Sequence, residues 1–400
     1  MKRQKISERG PAKVSAGAPV RDHLKRSRRV VVKIGSRVLV QKTGSPDLQR
    51  IRSLVRQIAR LQSSGHQVVL VTSGAIAAGV EALRLRRRPK NLPQLQMAAA
   101  VGQVRLMTLY DTFFAAERCG IGQVLLTHAD LQNRARHLNA RNTIMALLRQ
   151  GVIPIINEND VVAVDEIKFG DNDILASLVT VLIDGDVLIL LSTTDGLRAP
   201  AASGRSRRVP YMENVTEEAL ALAWGKGSDF SLGGMASKLK AAQTAVDVGA
   251  RVVIADGRKE EILDRVMAGE DVGTLIGNPK ASPAGVIRGR KRWLAFFHKV
   301  NGSLVVDAGA QKALEIKGHS LLPIGVREVE GHFSKGSLVN VRTQDGRTIA
   351  RGLTEYSSDD IRRIMGHRTA DIATILGAKE CDEVIHCDNM VNLSLREDAA

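Results

Sequence analysis

Aromatic residues make up only 3% of this 400-residue sequence, so its core has to be aliphatic and surfaces for stacking unpaired bases are scarce. Cysteine is equally thin: Cys119, Cys381 and Cys387 are an odd number without C-x-x-C spacing. That pattern argues against a disulfide framework and a cysteine zinc site, and it fits a reducing compartment. No apolar run approaches the roughly 20 residues that span a bilayer, and the first residues lack the apolar stretch of a secretory leader. The reading is a soluble cytoplasmic protein with no membrane partner. A Walker A loop, G-x-x-x-x-G-K-[ST], is also missing.

What the sequence has instead is positive charge and aliphatic strands. The formal net charge is +16, and 44% of the residues are apolar, enough for a large core and more than one domain. Residues 1–29 carry ten Lys/Arg against two acids, half of the net charge, in a Ser/Gly/Pro-rich stretch without periodicity. This composition predicts a disordered tail, read as a dispensable extension rather than as a nucleic-acid arm or a transit leader. A second basic run, Arg84 to Lys90, is read as a solvated loop.

From Val30 onward a strand-loop-helix unit recurs. Val30 to Ile34 is a β-branched strand that breaks at Gly35, and a lysine, Lys33, stands near its end, where a buried strand rarely carries charge without an anion to meet. A helix over Leu48–Ser63, stopped by Gly65, precedes a strand over Gln67–Thr72 that runs into Ser73-Gly74-Ala75. Ser73 is read either as a helix cap or as a ligand-facing hydroxyl. Further helices are predicted over Met97–Phe114, Leu138–Arg149, Asp173–Leu182 and Leu239–Val248, with strands over Gly122–Thr127, Gly151–Ile156, Val187–Thr193 and Ala250–Ala255. Val272 to Ile276 closes the domain. This alternation specifies an α/β domain, a mainly parallel sheet between helices, with the strand ends on one edge.

Asn157 to Asp173 is the centre of this arrangement. It gathers six carboxylates (Glu158, Asp160, Asp165, Glu166, Asp171, Asp173) and three amides (Asn157, Asn159, Asn172) between a strand and a helix of a strongly basic chain. Carboxylates at that edge suit a ligand ammonium, a metal held between phosphates, or lysines that need a counter-charge; a capping acidic loop is the bland alternative. The glycine-rich stretch Gly225–Lys238 offers mobile backbone donors and a positive charge at a helix start, a fit for nucleotide phosphates. After a Pro/Gly/basic linker the pattern changes to short β segments, among them Gly302–Asp307, Gly336–Arg342 and Gly346–Leu353, which predicts a small β-rich second domain.

Together these motifs resemble the amino acid kinase family, and within it the long-form glutamate 5-kinases that end in a PUA domain. The resemblance runs from Val30 to about Gly377. It is carried by Val-Val-Lys33-Ile-Gly-Ser, Val-Thr-Ser73-Gly-Ala-Ile-Ala-Ala-Gly, Asn-Glu-Asn-Asp160, Gly-Asp-Asn172-Asp173, Gly-Gly-Met-Ala-Ser-Lys238, Ser320-Leu-Leu-Pro-Ile-Gly325 and Gly331-His-Phe-Ser-Lys-Gly336. It implies a three-layer αβα kinase domain over residues 30–277, a linker over 278–296, a PUA domain over 297–376 and a tail over 377–400. The implied activity is transfer of the ATP γ-phosphoryl group to the side-chain carboxylate of L-glutamate, giving L-glutamyl 5-phosphate for proline biosynthesis. Mg²⁺ is expected with ATP, with no dedicated protein cage. Feedback inhibition by proline and a homo-oligomer, dimer or tetramer, are implied as well.

On this resemblance Lys33, Lys238 and Asp173 are the expected catalytic residues, with Asp173 holding both lysines. Ser73, Asp160 and Asn172 are expected to bind glutamate, with Asp160 facing its ammonium. ATP is expected on Lys33, the amides of Gly35 and Gly74, Ser192, Thr193, and the run Leu232, Gly233, Gly234, Met235, Ala236, Ser237 and Lys238. The chain departs from the family pattern at Ser192-Thr193-Thr194-Asp195, at Ser231-Leu232 in the glycine loop, and at Arg37. Two alternatives remain at this point: a sister amino acid kinase with another acceptor, and an RNA-binding protein acting through its PUA domain. Nucleic acid is not expected as the main partner.

Overall fold

The computed structural model describes residues 21–41, 45–163, 172–200, 206–223, 234–278, 300–315 and 319–393. The chain divides into two compact units, Met1–His128 with Ala140–Pro283, and Ala129–Asn139 with Ala284–Ala400. In chain order the elements up to residue 278 are β1 (Arg29–Ile34), α1 (Ser36–Leu39), α2 (Leu48–Ser63), β2 (Gln67–Val71), α3 (Ala75–Ala82), α4 (Leu92–Ala116), β3 (Ile121–Leu126), α5 (His128–Gln132), α6 (Arg134–Arg149) and β4 (Ile153–Glu158). They continue with α7 (Asn172–Leu182), β5 (Val187–Ser192), β6 (Arg198–Pro200), β7 (Ser206–Arg208), β8 (Tyr211–Met212), α8 (Glu217–Ala223), α9 (Met235–Val246), β9 (Arg251–Asp256), α10 (Ile262–Met267) and β10 (Thr274–Ile276).

The eight-stranded sheet has the order β3-β4-β2-β1-β5-β9-β10-β8. Its first six strands are mutually parallel, so the carboxyl ends of β1, β2, β4 and β5 share one edge, as the repeated strand-loop-helix units require. The expectation of a common edge stops there, because β10 runs antiparallel to β9.

Side chains alternate along a strand, and the two faces separate accordingly. Val30, Val32 and Ile34 of β1 join a core with Ile51, Leu54 and Ile58 of α2, Leu106 and Phe114 of α4, and Leu263 and Val266 of α10. Helices α7 and α9 pack on each other and on the sheet, α7 against β1 and β5 and α9 against β9. Lys33, one position out of phase with Val32 and Ile34, is thereby turned away from the first core.

Helix α4 starts five residues before the expected Met97. Asn91 caps it by accepting from the Gln94 amide at 3.0 Å, and Pro93 sits in its first turn; cap and proline are a start signal stronger than the apolar periodicity. The close approach of α3 and α4 depends on two glycines. A Cβ on Gly79 would stand 1.7 Å from the Ala98 carbonyl oxygen, and one on Gly102 1.7 Å from that of Ala75.

The expected disordered tail is corrected at its end. Residues 21–29 are built into the fold, with Leu24 in the core. Arg21 is 1% exposed, and its guanidinium donates to the carbonyls of Pro210 and Val272, each at 2.8 Å, and of Glu270 and Gly273 at 3.1 and 3.2 Å. A residue that counts as tail charge in the composition is a buried clasp.

The second unit holds β11 (Gly302–Val306), α11 (Ala308–Glu315), β12 (Val326–Glu330), β13 (Leu338–Arg342), β14 (Thr348–Leu353), α12 (Ser358–Ile364), α13 (Ile372–Leu376) and β15 (Met390–Asn392). Its sheet order is β12-β11-β13-β14-β15. The expected tail from residue 377 is corrected in the same way: Val384, Ile385, Met390 and Val391 are buried, and β15 pairs with β14. Their apolar side chains complete a core that would otherwise face water.

Candidate active site

The carboxyl edge of β1, β2, β4 and β5 gathers three buried charges. Lys33, from β1, places Nζ 2.6 Å from Asp173 Oδ1, and Lys238, from the first turn and a half of α9, places Nζ 2.9 Å from Asp173 Oδ2. Asp173 is fully buried and each lysine is 6% exposed. Burial alone would raise the Asp173 carboxyl, yet the two ammonium groups hold it below the usual carboxylate range. One carboxylate between two ammoniums in a poorly solvated place is an arrangement that an anionic ligand can join.

Around this triad the expected ligand residues take distinct positions. Gly234 caps α9 in an extended conformation (φ −70°, ψ 178°). Met235, Ala236 and Ser237 form the helix's first turn, whose N–H groups have no intrahelical acceptor and carry the positive end of the helix dipole. Ser237 Oγ is buried without a hydrogen-bond partner. Leu232 and Gly233, like Asp165, Glu166 and Asp171, lie outside the described residues.

One expectation is corrected by geometry. The Gly35 N–H is already donated to the Leu191 carbonyl at 3.1 Å, so it is not a phosphate donor. What Gly35 supplies is room, since a Cβ there would meet Leu191 O at 3.2 Å and Lys33 Nζ at 3.8 Å. Gly74 occupies the left-handed region (φ 107°) as the cap of α3, a conformation that favours glycine. Ser73 therefore does not cap that helix, and its hydroxyl donates to Ile34 O at 2.9 Å, joining the ends of β1 and β2.

Ser192 ends β5, Thr193 follows it, and both are pinned by the residues just after β9. Gly257 N–H donates to Ser192 O at 2.9 Å, and Arg258 Nη2 donates to Thr193 O at 2.7 Å while it holds Asp256 at 2.8 Å. Nothing in the sequence singled out Arg258. Asp195, which ends the departing run Ser192-Thr193-Thr194-Asp195, is tied to Arg198 at 2.7 Å.

On the other side of the triad the amide of Asn172, 8% exposed, donates to Thr72 O at 2.5 Å and to Asn157 Oδ1 at 2.8 Å. Asn157 Nδ2 in turn donates to Gln103 Oε1 at 2.8 Å. Under them Thr72 Oγ1 meets Tyr110 OH at 2.8 Å, and burial pushes the Tyr110 phenol up to about 12, so it stays protonated. Asp160 sits in the turn after β4, and burial raises its carboxyl to about 6 against the opposing pull of the Arg88 charge. Arg88 belongs to the basic run, which is exposed as expected, yet its charge reaches this site. A linear sequence carries no signal for that proximity, and none for the Asn157–Gln103 contact.

The comparisons with known proteins agree with this geometry. The model of the amino acid kinase family matches residues 28–256, and that of the PUA domain residues 302–376. A protein named Glutamate 5-kinase from Moorella thermoacetica is 46% identical over 372 residues, covering 92% of this chain and 97% of that protein. Proteins of the same name from Citrifermentans bemidjiense and Caldanaerobacter subterraneus subsp. tengcongensis are 47% and 46% identical, each over 92% of this chain and 99% of the relative. Among the described residues no helix is long and apolar enough to cross a membrane. The parallel sheet, the lysines at its edge and both matches lead to one conclusion: the chain belongs to the amino acid kinase family and carries a PUA domain.

Proposed function

We propose that this kinase transfers the γ-phosphoryl group of ATP to the side-chain carboxylate of L-glutamate, forming L-glutamyl 5-phosphate and ADP, the first step of proline biosynthesis. The observation that carries the reading is the buried Lys33–Asp173–Lys238 bridge, which fixes two ammonium groups at the sheet edge. A carboxylate acceptor is ionised at neutral pH, so the reaction needs no base. It needs fixed positive charge where one anion attacks another. Relatives of this length and identity bear the name Glutamate 5-kinase, which supports the choice of acceptor.

In this reading Lys33 and Lys238 flank the transferring phosphoryl group, and Asp173 keeps both charged and in place. Ser237 and the amides of α9's first turn, with Gly74, receive the phosphates, and Ser192 and Thr193 border the nucleoside. Asp160 takes the glutamate ammonium, and Ser73 and Asn172 line the remainder of the amino acid. Mg²⁺ accompanies the nucleotide. Both oxygens of Asp173 are taken by lysines, so the residues fit an ion held by phosphate and water oxygens rather than by a protein cage; when bound it offsets phosphate charge. The enzyme acts in the cytoplasm as a homo-oligomer, dimer or tetramer, under feedback inhibition by proline.

Trapping acyl phosphate with hydroxylamine tests the reading, with glutamate beside aspartate and acetylglutamate, and with ADP release as the readout for UMP, whose product is no acyl phosphate. A signal confined to glutamate is expected. Phosphorylation of another acceptor, or silence on all four by folded enzyme with Mg²⁺, would overturn it.

A further inference from the structure

The amide chain beside the triad has a fixed polarity. The Thr72 carbonyl only accepts, so Asn172 must turn its NH₂ group toward it, and the other N–H of that group goes to Asn157 Oδ1. Asn157 then presents its own NH₂ to Gln103 Oε1, and the orientation of the third amide follows from the first. The chain ends on a donor: Gln103 Nε2 is buried and has no hydrogen-bond partner. A buried N–H without an acceptor is uncommon and unfavourable.

The surroundings of Gln103 place this donor. Its neighbour Gly102 packs against Ala75 O, at the start of α3 just after Ser73-Gly74. Two turns earlier on the same face of α4, Gln96 donates to Ala163 O at 3.3 Å. Ala163 closes the turn that carries Asp160, with its N–H on Asn159 O at 3.0 Å. Gln103 therefore stands against Asn157, on a helix whose neighbouring residues meet the start of α3 and the Asp160 turn, the amino acid side of the triad in the reading above.

We propose that Gln103 is a specificity-determining residue whose Nε2 donates to the α-carboxylate of the amino acid substrate. This inference rests on the glutamate reading above, in which the γ-carboxylate lies at the lysines and the ammonium at Asp160. The α-carboxylate, bonded to the carbon that bears the ammonium, is the acceptor left for a donor that α4 presents beside Asn157. Asp160 and Gln103 together then recognise the zwitterionic end, one by charge and one by a directed N–H.

The test compares wild type, Gln103→Met and Gln103→Glu in glutamate binding and in steady-state acyl phosphate formation, with L-glutamate and with its α-amide as substrates. Gln103→Met should raise the glutamate Kd and KM about 10- to 100-fold, the value of a hydrogen bond to a charged group, with kcat and the ATP KM within about threefold. Gln103→Glu keeps the acceptor for Asn157 and replaces the donor by a carboxylate oxygen. It should lose more affinity for glutamate and shift its preference toward the α-amide, a change that a merely structural glutamine would not produce. Unchanged glutamate affinity in both variants, as for a donor satisfied by water alone, or an equal loss of ATP affinity, would overturn the role of Gln103. Wild-type turnover of glutamate keeps that failure separate from a failure of the kinase reading; a wild type that binds no glutamate would sink both.

Discussion

Replacing Asp160 by asparagine should stabilise the free enzyme at neutral pH while it damages glutamate binding. The Asp160 carboxyl stands at about 6, against an ordinary 3.8, because burial disfavours its ionised form more than Arg88 favours it. A folded-state value above the unfolded one means that the native protein binds the proton more tightly. The associated stability is complete below 3.8 and is lost as pH rises through about 6. Above that pH the ionised side chain costs the fold at most about 3 kcal/mol, since each tenfold change in proton affinity is worth roughly 1.4 kcal/mol. Asp160→Asn removes that cost at similar shape. For a domain of this size each kcal/mol moves Tm by roughly 2–4 °C, so the variant should melt several degrees above wild type at pH 8. The gain should shrink steadily between pH 6 and pH 4. Glutamate reverses the ranking, since its ammonium supplies the missing counter-charge only to aspartate. Wild type should gain more Tm from saturating glutamate at pH 8 than at pH 5, and the variant should gain little at either. Thermal melts over pH 4–8 with and without glutamate decide this. An Asp160→Asn protein less stable than wild type at pH 8, or a glutamate response independent of pH, would refute the reasoning.

Asp173→Asn should be the most damaging change at the site. It leaves two buried ammonium groups without their carboxylate, which typically costs about 3–5 kcal/mol, read as a loss of Tm together with activity. Gly102→Ala should lower stability by about 1–3 kcal/mol, because a Cβ would press on the Ala75 carbonyl; kinetics on the surviving protein should show a raised glutamate KM with the ATP KM less affected. Arg21→Met should cost about 2–4 kcal/mol in denaturant unfolding by leaving the carbonyls around Pro210 and Val272 without their donor, although the residue lies far from the chemistry in sequence.

The strands of the kinase domain were legible because short aliphatic runs such as Val30–Ile34 and Val187–Leu191, bounded by turn residues, suit buried strands. Lys33, Asp173 and Lys238 were legible for the opposite reason, as charges set where a buried element rarely tolerates them. Their meeting follows from strand alternation, which sends Lys33 to the face of α7 and α9. Gln103 and Arg88 were not legible as site residues. One looks like the polar turn of an amphipathic helix and the other like one arginine of a solvated run, and their proximity to Asn157 and Asp160 exists only in three dimensions. Arg21 shows the converse error: composition averages charge over a segment and cannot mark the one guanidinium that finds four carbonyls. The role given to the Gly35 amide failed because a glycine beside a phosphate-binding lysine offers either an N–H or space, and the bond to Leu191 O leaves only space.

The most direct test of the central claim is the turnover and ATP affinity of Lys33→Ala, read as hydroxylamine-trapped acyl phosphate from glutamate. Loss of a preorganised donor to a developing charge typically costs about 10²- to 10³-fold in turnover. The variant should fall by at least that much while ATP affinity falls much less. A Lys33→Ala enzyme that forms acyl phosphate at near wild-type rates would contradict the claim that the Lys33–Asp173–Lys238 bridge performs the transfer.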